Sequence, residues 1–116
     1  MPAPIVHFEL TVSNDKKSVE FYRNLFDWDL KYFEGHGWGI SAGEKGIGGD
    51  IQQNESTFPP HCTVYVEVDS IPDGLAKAES LGAVPIFGPV DLGSGYGLIG
   101  MFKDPDGILI GLYQKN

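Results

Sequence analysis

The chain carries the same pattern twice, 56 residues apart, and this repeat constrains its fold more than any other feature. Residues 7–14 and residues 63–70 each alternate apolar and polar side chains, and each segment leads into an amphipathic helical pattern. Two copies of so long a unit do not indicate a solenoid. The repeat instead predicts two half-domains packed around a pseudo-twofold axis, with any ligand bound where they meet. Apolar positions coincide when the copies are superposed: Phe8 with Val64, Leu10 with Val66, Val12 with Val68, Val19 with Leu75, Tyr22 with Ala78 and Leu25 with Leu81.

Length and composition indicate one soluble domain, residues 1–116. A chain of 116 residues has the size of a single domain, and 41% hydrophobic with 21% charged residues is ordinary for a soluble globular protein. No apolar run approaches the roughly 18 residues that would cross a bilayer, and residues 1–7 lack the features of a secretory signal. The single cysteine, Cys62, cannot form an internal disulfide, which favours a cytoplasmic location. We expect this cysteine to be a small buried apolar residue.

The net charge of −8 narrows the choice of partners. Nucleic acids and anionic membrane surfaces bind clustered lysine and arginine, and this chain has an excess of acidic residues. An acidic surface keeps a protein soluble and would also attract a cationic small molecule. The expected partner is therefore a small-molecule ligand, with no nucleic acid and no membrane.

Alternation, capping residues and turn residues divide each half into a strand, a helix and three further strands. Ser13-Asn14-Asp15 supplies N-cap chemistry for a helix that ends near Phe26, and Ser70 begins a second helix that Gly82 stops. The fold class is therefore α+β, with two βαβββ modules that form curved, mixed and antiparallel sheets with the helices outside. The modules are predicted at residues 4–53 and 61–116, with a linker at 54–60, and the strands at 5–12, 28–33, 38–41, 47–53, 62–68, 84–87, 98–103 and 108–114.

The two faces of each sheet are predicted to differ. Helical spacing places Leu25 and Leu81 in the stripes that the two helices bury against the strands. The opposite face carries polar and aromatic side chains, and a curved sheet would make it the wall of a cavity. The residues on that face are His7, Glu9, Thr11, Thr63, Tyr65, Glu67, Leu109, Gly111 and Tyr113.

These motifs resemble the vicinal oxygen chelate superfamily, which includes glyoxalases, extradiol dioxygenases and bleomycin-resistance proteins. The resemblance covers nearly the whole chain, and the most similar subgroup is the lactoylglutathione-lyase-related proteins of undefined activity. It is specific for the fold and weak for the reaction, because one scaffold hosts many chemistries. The segments that carry it are 7–14 (HFELTVSN), 18–22 (SVEFY), 26–28 (FDW), 66–70 (VEVDS), 76–78 (AKA), 81–83 (LGA) and 104–107 (DPDG).

The resemblance implies a divalent metal held by His, Glu or Gln side chains, two from each half, and nitrogen and oxygen donors would suit Zn, Ni, Mn or Fe without selecting among them. His7 matches the ligand on the first strand. The other three ligand positions are less favourable. One falls on Thr63, a poor metal ligand, and one on Gly111, which has no side chain to offer. The last falls on Gly48, Gly49 or Asp50, depending on the alignment. A catalytic site usually needs three protein ligands, so a conventional site is incomplete in this sequence. A rearranged site that combines His7 with Glu9 and Glu67 stays open.

Three functional hypotheses remain. An enzyme would perform metal-assisted proton abstraction, isomerisation or lyase chemistry, with His7 as ligand or acid–base group and Glu9 or Glu67 as base. A metal-free binding or sequestering protein would stack an aromatic or cationic molecule on Trp38, Tyr65 and Tyr113, with Tyr96 as a lid residue in its glycine-rich loop. A regulatory or scaffold domain would hold an inert cavity. The resemblance also implies a homodimer.

Overall fold

The computed structural model describes residues 2–41 and 43–116, which form two compact units. One unit comprises residues 7–63, and the other comprises residues 64–116 together with the first six residues. Each unit contains four paired strands and one helix, so the fold is α+β with a duplicated βαβββ order, as the repeat predicted. Within the described ranges, no helix has the length and apolar character needed to cross a membrane.

The first module has a mixed four-stranded sheet in the order β2-β3-β4-β1. Strands β1 and β4 run parallel, whereas β3 lies antiparallel to both of its neighbours, β2 and β4. Parallel pairing of β1 with β4 requires a long crossover, and α1 with the β2–β3 hairpin provides it. The elements are β1 (Ile5–Val12), α1 (Asp15–Phe26), β2 (Asp29–Phe33), β3 (Gly37–Ser41) and β4 (Gly48–Gln53).

Helix α1 begins and ends where its capping residues allow. Asn14 is extended at the N-cap, and its side chain accepts a hydrogen bond from the Lys17 amide at 3.2 Å. Asp27 ends the helix in the left-handed conformation, with φ of 57°, and its amide donates to the Arg23 carbonyl. The helix packs on one face of the sheet, where the buried cluster consists of Val19, Leu30, Ile40 and Ile51.

The second module repeats this plan with the strand order β5-β8-β7-β6. Strands β5 and β8 are parallel, and β7 lies antiparallel to both of its neighbours, β6 and β8. Ser70 caps α2 through a hydrogen bond from the Asp73 amide at 3.2 Å, and Ile71, Leu75 and Leu112 form its buried cluster. The elements are β5 (His61–Glu67), α2 (Ile71–Ser80), β6 (Val84–Asp91), β7 (Leu98–Lys103) and β8 (Leu109–Gln114).

Two features differ from the sequence expectation. Strand β6 does not end at residue 87 but continues to Asp91, because it accommodates two register shifts against β7. Leu25 and Leu81 were expected to be buried, but both are mostly exposed. They occupy equivalent positions at the ends of the two helices, where the apolar stripe extends beyond the buried clusters.

Candidate functional site

Strand pairing in the first module brings polar side chains together on the face that α1 leaves uncovered. Across β1 and β4, Glu9 lies opposite Asp50 and Thr11 lies opposite Gln52. Side chains at paired positions share a face, and so do every second residues along a strand. His7 therefore belongs to the same polar surface as Glu9, Asp50 and Gln52, as the alternation of β1 predicted.

A cavity of about 410 Å³ opens on this surface. Three side chains from β2, Asp29, Lys31 and Phe33, line it together with His7 from β1 and Ser41 from β3. Among the glycines that line the cavity, Gly48 leaves space on the cavity side, where a Cβ would meet the Ile40 backbone oxygen at 3.3 Å, whereas the Phe33 ring covers Gly39. The cavity thus combines an imidazole, an ammonium, a carboxylate, a hydroxyl and an aromatic ring.

His7 forms a hydrogen bond with Asp50 at the edge of this cavity. Its Nε2 atom lies 2.7 Å from Asp50 Oδ1, and the Asp50 side chain is only 14% exposed while that of His7 is 39% exposed. The second carboxylate oxygen, Oδ2, accepts a hydrogen bond from the Gln52 side-chain amide. Gln52 also donates to the backbone carbonyl of His36 in the turn between β2 and β3.

A hydrogen bond identifies the side chain of β4 that contacts His7. The sequence left Gly48, Gly49 and Asp50 open as the ligand position on this strand. His7 pairs with Gly48 in the register, but Asp50 is the one of the three whose side chain reaches the imidazole. Gln52, Asp29 and Lys31 were not predicted as site residues. The alternation of residues 48, 50 and 52 indicates that Asp50 and Gln52 share one face of β4. Only the parallel pairing of β4 with β1 shows that this is the face that carries His7.

The residues around His7 do not make a complete site for a divalent metal. Within residues 2–41 and 43–116, no three His, Cys, Asp or Glu side chains are placed so that they could hold one ion together. His7 and Asp50 supply two donors, one fewer than a catalytic metal usually takes from the protein. The donor set therefore does not fit the metal that the resemblance implied, and none of the chemistry below depends on it.

Thr63 occupies the position in the second copy that corresponds to His7. It is fully buried, and its hydroxyl oxygen has no hydrogen-bond partner among the residues that the structure describes. A threonine hydroxyl is a weak ligand compared with the imidazole at the corresponding position of the first copy.

Glu9 is half-buried on the polar surface, opposite Asp50 in the register. Burial raises the pKa of the Cys62 thiol, and the Glu9 carboxylate raises it further because a nearby negative charge disfavours the thiolate. Cys62 itself is exposed, which corrects the expectation of a buried apolar residue.

Trp38 does not line the cavity, contrary to the expectation of a stacking wall. Its register partner across β3 and β4 is Ile51, which belongs to the helix-covered core, and the indole packs against that cluster. The indole Nε1 donates to Asp15 Oδ2 at 3.2 Å, at the start of α1. The tryptophan therefore ties the helix to the sheet.

The remaining candidates lie in the second unit and serve packing or local contacts. Tyr65 is buried, and its ring covers Gly111, the position of the last-strand ligand in the resemblance. The Tyr113 hydroxyl donates to the Tyr96 carbonyl at 2.9 Å, while the Tyr96 side chain is exposed. Glu67 lies 3.6 Å from the exposed Lys115 ammonium. These contacts do not gather the four residues around one ligand position.

Comparisons with known proteins place this arrangement in a family. Among solved structures, a methylmalonyl-CoA epimerase from Mycobacterium tuberculosis superposes with a TM-score of 0.69 at 13% identity, covering 97% of this chain and 87% of that one. A hypothetical protein from Bacillus halodurans C-125 gives 0.71 at 15% identity, covering 100% and 96%. A Streptomyces coelicolor methylmalonyl-CoA epimerase in complex with 2-nitronate-propionyl-CoA gives 0.65 at 15% identity, covering 96% of both chains. At these identities the likeness establishes the fold alone.

The family assignment comes from the sequence. A search among curated proteins gave no match. The model of the Glyoxalase/Bleomycin resistance protein/Dioxygenase superfamily, in contrast, matches residues 4–112, which span both modules. The chain therefore belongs to the Glyoxalase/Bleomycin resistance protein/Dioxygenase superfamily, the vicinal oxygen chelate fold that its repeated motifs resembled.

Proposed function

We propose that the first-module cavity binds a small carbonyl compound and that His7, held by Asp50, transfers a proton at the carbon next to the carbonyl. The activity would be that of an isomerase or lyase. The observation that carries the proposal is the 2.7 Å contact between His7 Nε2 and Asp50 Oδ1, on a histidine that lines a 410 Å³ cavity.

The hydrogen bond between His7 and Asp50 suits proton transfer because it fixes which ring nitrogen can act. An ionised carboxylate only accepts hydrogen bonds, so Nε2 carries the proton in the contact with Asp50. The lone pair of the neutral imidazole then resides on Nδ1. In the proposed step, Nδ1 takes a proton from the carbon and the C–H electron pair forms the enolate. The imidazolium then exchanges this proton with solvent and returns a solvent-derived proton to the enolate. The Asp50 carboxylate stabilises the imidazolium that exists between the two transfers.

The other cavity groups suggest the class of substrate. Lys31 places an ammonium in the cavity, where it would attract the developing enolate oxygen or a carboxylate of the substrate. Asp29 and Ser41 add an acceptor and a hydroxyl. A small oxygen-rich molecule, such as a hydroxy ketone or a carboxylated thioester, matches these groups. Glu9 remains a candidate for a second proton-carrying group because it lies opposite Asp50.

The alternative of a metal-free sequestering protein has less support. This alternative relied on stacking of a ligand by Trp38, Tyr65 and Tyr113. The Trp38 indole packs against the buried cluster on the helix-covered face, and the Tyr65 ring covers Gly111. A homodimer and a cytoplasmic location stay part of the proposal. Light scattering on the purified protein would test the dimer.

Proton exchange in deuterated water tests the proposed chemistry directly. Dihydroxyacetone, pyruvate and methylmalonyl-CoA would each be incubated with the protein, and proton NMR would follow deuterium incorporation beside the carbonyl. We expect incorporation above the uncatalysed rate for at least one probe, and loss of this excess in His7→Gln. His61→Gln is the matched control, because the ring of His61 lies 3.0 Å from the Pro59 carbonyl oxygen and does not line the cavity. Equal exchange by the wild type and His7→Gln would refute the role of His7, and no exchange with any probe would refute the proposed activity on these carbonyl classes.

A further inference from the structure

We infer that Gln52 is a positioning residue, which fixes the Asp50 carboxylate and, through it, the ring orientation and tautomer of His7. The catalytic consequence rests on the proposed function. The positioning itself rests only on the hydrogen bonds among these three side chains and can be tested without any substrate.

Gln52 connects the hydrogen-bonded His7–Asp50 pair to a turn of the backbone. Its side-chain nitrogen has two protons, and it contacts two acceptors: Asp50 Oδ2 and the carbonyl oxygen of His36. The chain of contacts thus runs from the β2–β3 turn through Gln52 and Asp50 to His7. A side chain with both donors engaged by fixed partners has little freedom to rotate, so it can hold the carboxylate in one orientation.

Gly37 provides the space in which the Gln52 amide lies. A Cβ at this position would come 2.7 Å from Gln52 Nε2 and 2.7 Å from the Ile51 carbonyl oxygen. Gly37 also has φ of 80°, a left-handed conformation that residues with a side chain rarely adopt. The backbone at the start of β3 is therefore compatible with the amide only as glycine.

Holding Asp50 determines the state of His7. With Oδ2 bound to Gln52, Oδ1 remains directed at His7 Nε2, which must then donate. Other charged groups share the surface, namely Glu9 on β1 and Asp29 and Lys31 on β2. The contact between a buried carboxylate and one ring nitrogen selects the tautomer more directly than these groups do, because a hydrogen bond distinguishes the two nitrogens and a surrounding charge does not.

Gln53 offers a matched control on the same strand. It also makes two hydrogen bonds: its Oε1 accepts from the Asp15 amide at 3.0 Å, and its Nε2 donates to the Ser13 carbonyl at 2.8 Å. These contacts fix the start of α1 on the opposite face of β4, away from His7. Replacing either glutamine by methionine removes two hydrogen bonds at similar side-chain volume, but only the replacement of Gln52 affects the hydrogen bond between His7 and Asp50.

The test is nitrogen-15 NMR of the histidine rings at about pH 8.5, where a neutral imidazole reports its tautomer. In the wild type we expect His7 to show the separated Nδ1 and Nε2 shifts of a single Nε2–H tautomer. In Gln52→Met the two shifts should move toward each other as the tautomers mix, whereas Gln53→Met should retain the wild-type pattern. Gln52→Asn, whose amide is too short to reach both acceptors, should resemble Gln52→Met and serves if the methionine variant does not fold.

The outcomes separate the inference from the proposed function. A wild-type tautomer pattern in folded Gln52→Met or Gln52→Asn would overturn the positioning role. If the pattern changes and the exchange activity falls by roughly tenfold to hundredfold, both ideas are supported. If the pattern changes while the wild type shows no exchange activity, the positioning role stands and the proposed reaction is wrong.

Discussion

The two modules share one backbone plan but carry different side chains on the face that their helices leave uncovered. In the first module, the central pair across the parallel strands is Glu9 opposite Asp50; in the second module the same pair is Tyr65 opposite Gly111. The acidic pair borders an open cavity that His7 lines, whereas the Tyr65 ring is 5% exposed and lies over the glycine. A duplicated fold can therefore keep reactive polar groups in one copy while aromatic packing fills the equivalent positions of the other.

The largest expected effect compares Tyr65 on β5 with Glu9, which occupies the equivalent position on β1. Tyr65→Ala should lower the free energy of unfolding by roughly 3–5 kcal/mol, because it removes a buried ring and leaves a cavity over Gly111. Glu9→Ala, at the equivalent position, should cost no more than about 1 kcal/mol, because the half-buried glutamate fills no comparable space. Urea unfolding monitored by circular dichroism measures both. Similar costs for the two variants would show that the modules do not divide packing and polarity as described.

An intermediate effect is expected at Gly111, where the ring excludes any side chain. Gly111→Ala should destabilise the protein by roughly 1–3 kcal/mol, because the new Cβ would overlap the Tyr65 ring. Gly48→Ala is the matched control in the first module, since the new atom would meet a backbone oxygen at 3.3 Å rather than overlap a ring, and its cost should be smaller, no more than about 1 kcal/mol.

A double-mutant cycle tests whether the ring is the cause. In the Tyr65→Ala background, the cost of Gly111→Ala should disappear, which gives a coupling energy of the same size as the single-variant cost. Strictly additive costs would mean that the glycine is required for a reason other than the ring, and the account of the second module as filled by Tyr65 would fail.

The fold was predictable because its signals are local and occur twice. Alternation gave β1 its observed bounds, Ile5–Val12, and the N-cap residues Asn14 and Ser70 marked the starts of both helices. The same alternation placed His7 and Glu9 on one face. These features depend only on residues that are close in sequence, so one chain is enough to find them.

The candidate site was harder to predict because strand pairing determines which side chains meet. Trp38 is flanked by two glycines, so no local alternation indicated its face; its pairing with Ile51 puts it in the core. Asp50 and Gln52 follow two glycines on β4 that weaken the pattern, and only the parallel register with β1 brings Asp50 to His7. Tyr65 looked like a ligand-stacking residue because Gly111, the residue that makes room for its ring, is distant in sequence.

The smallest expected effect concerns the pKa of the Cys62 thiol, which responds to the Glu9 carboxylate on the polar surface of the first module. The pKa of this exposed thiol is raised first by burial of part of the group and then by the Glu9 carboxylate. Glu9→Gln should therefore lower the Cys62 pKa without returning it fully to the ordinary value, because the contribution of burial remains. A lower pKa increases the thiolate fraction at mildly alkaline pH, so alkylation by iodoacetamide should become modestly faster and its pH profile should shift toward lower pH. Glu67→Gln is the control, since this glutamate lies beside Lys115 in the other unit and is not among the groups that shift the thiol. An unchanged profile in Glu9→Gln would mean that the Glu9 carboxylate does not act on the Cys62 thiol, whereas equal shifts in both variants would mean that net charge, rather than the acidic surface of the first module, sets the reactivity of the thiol.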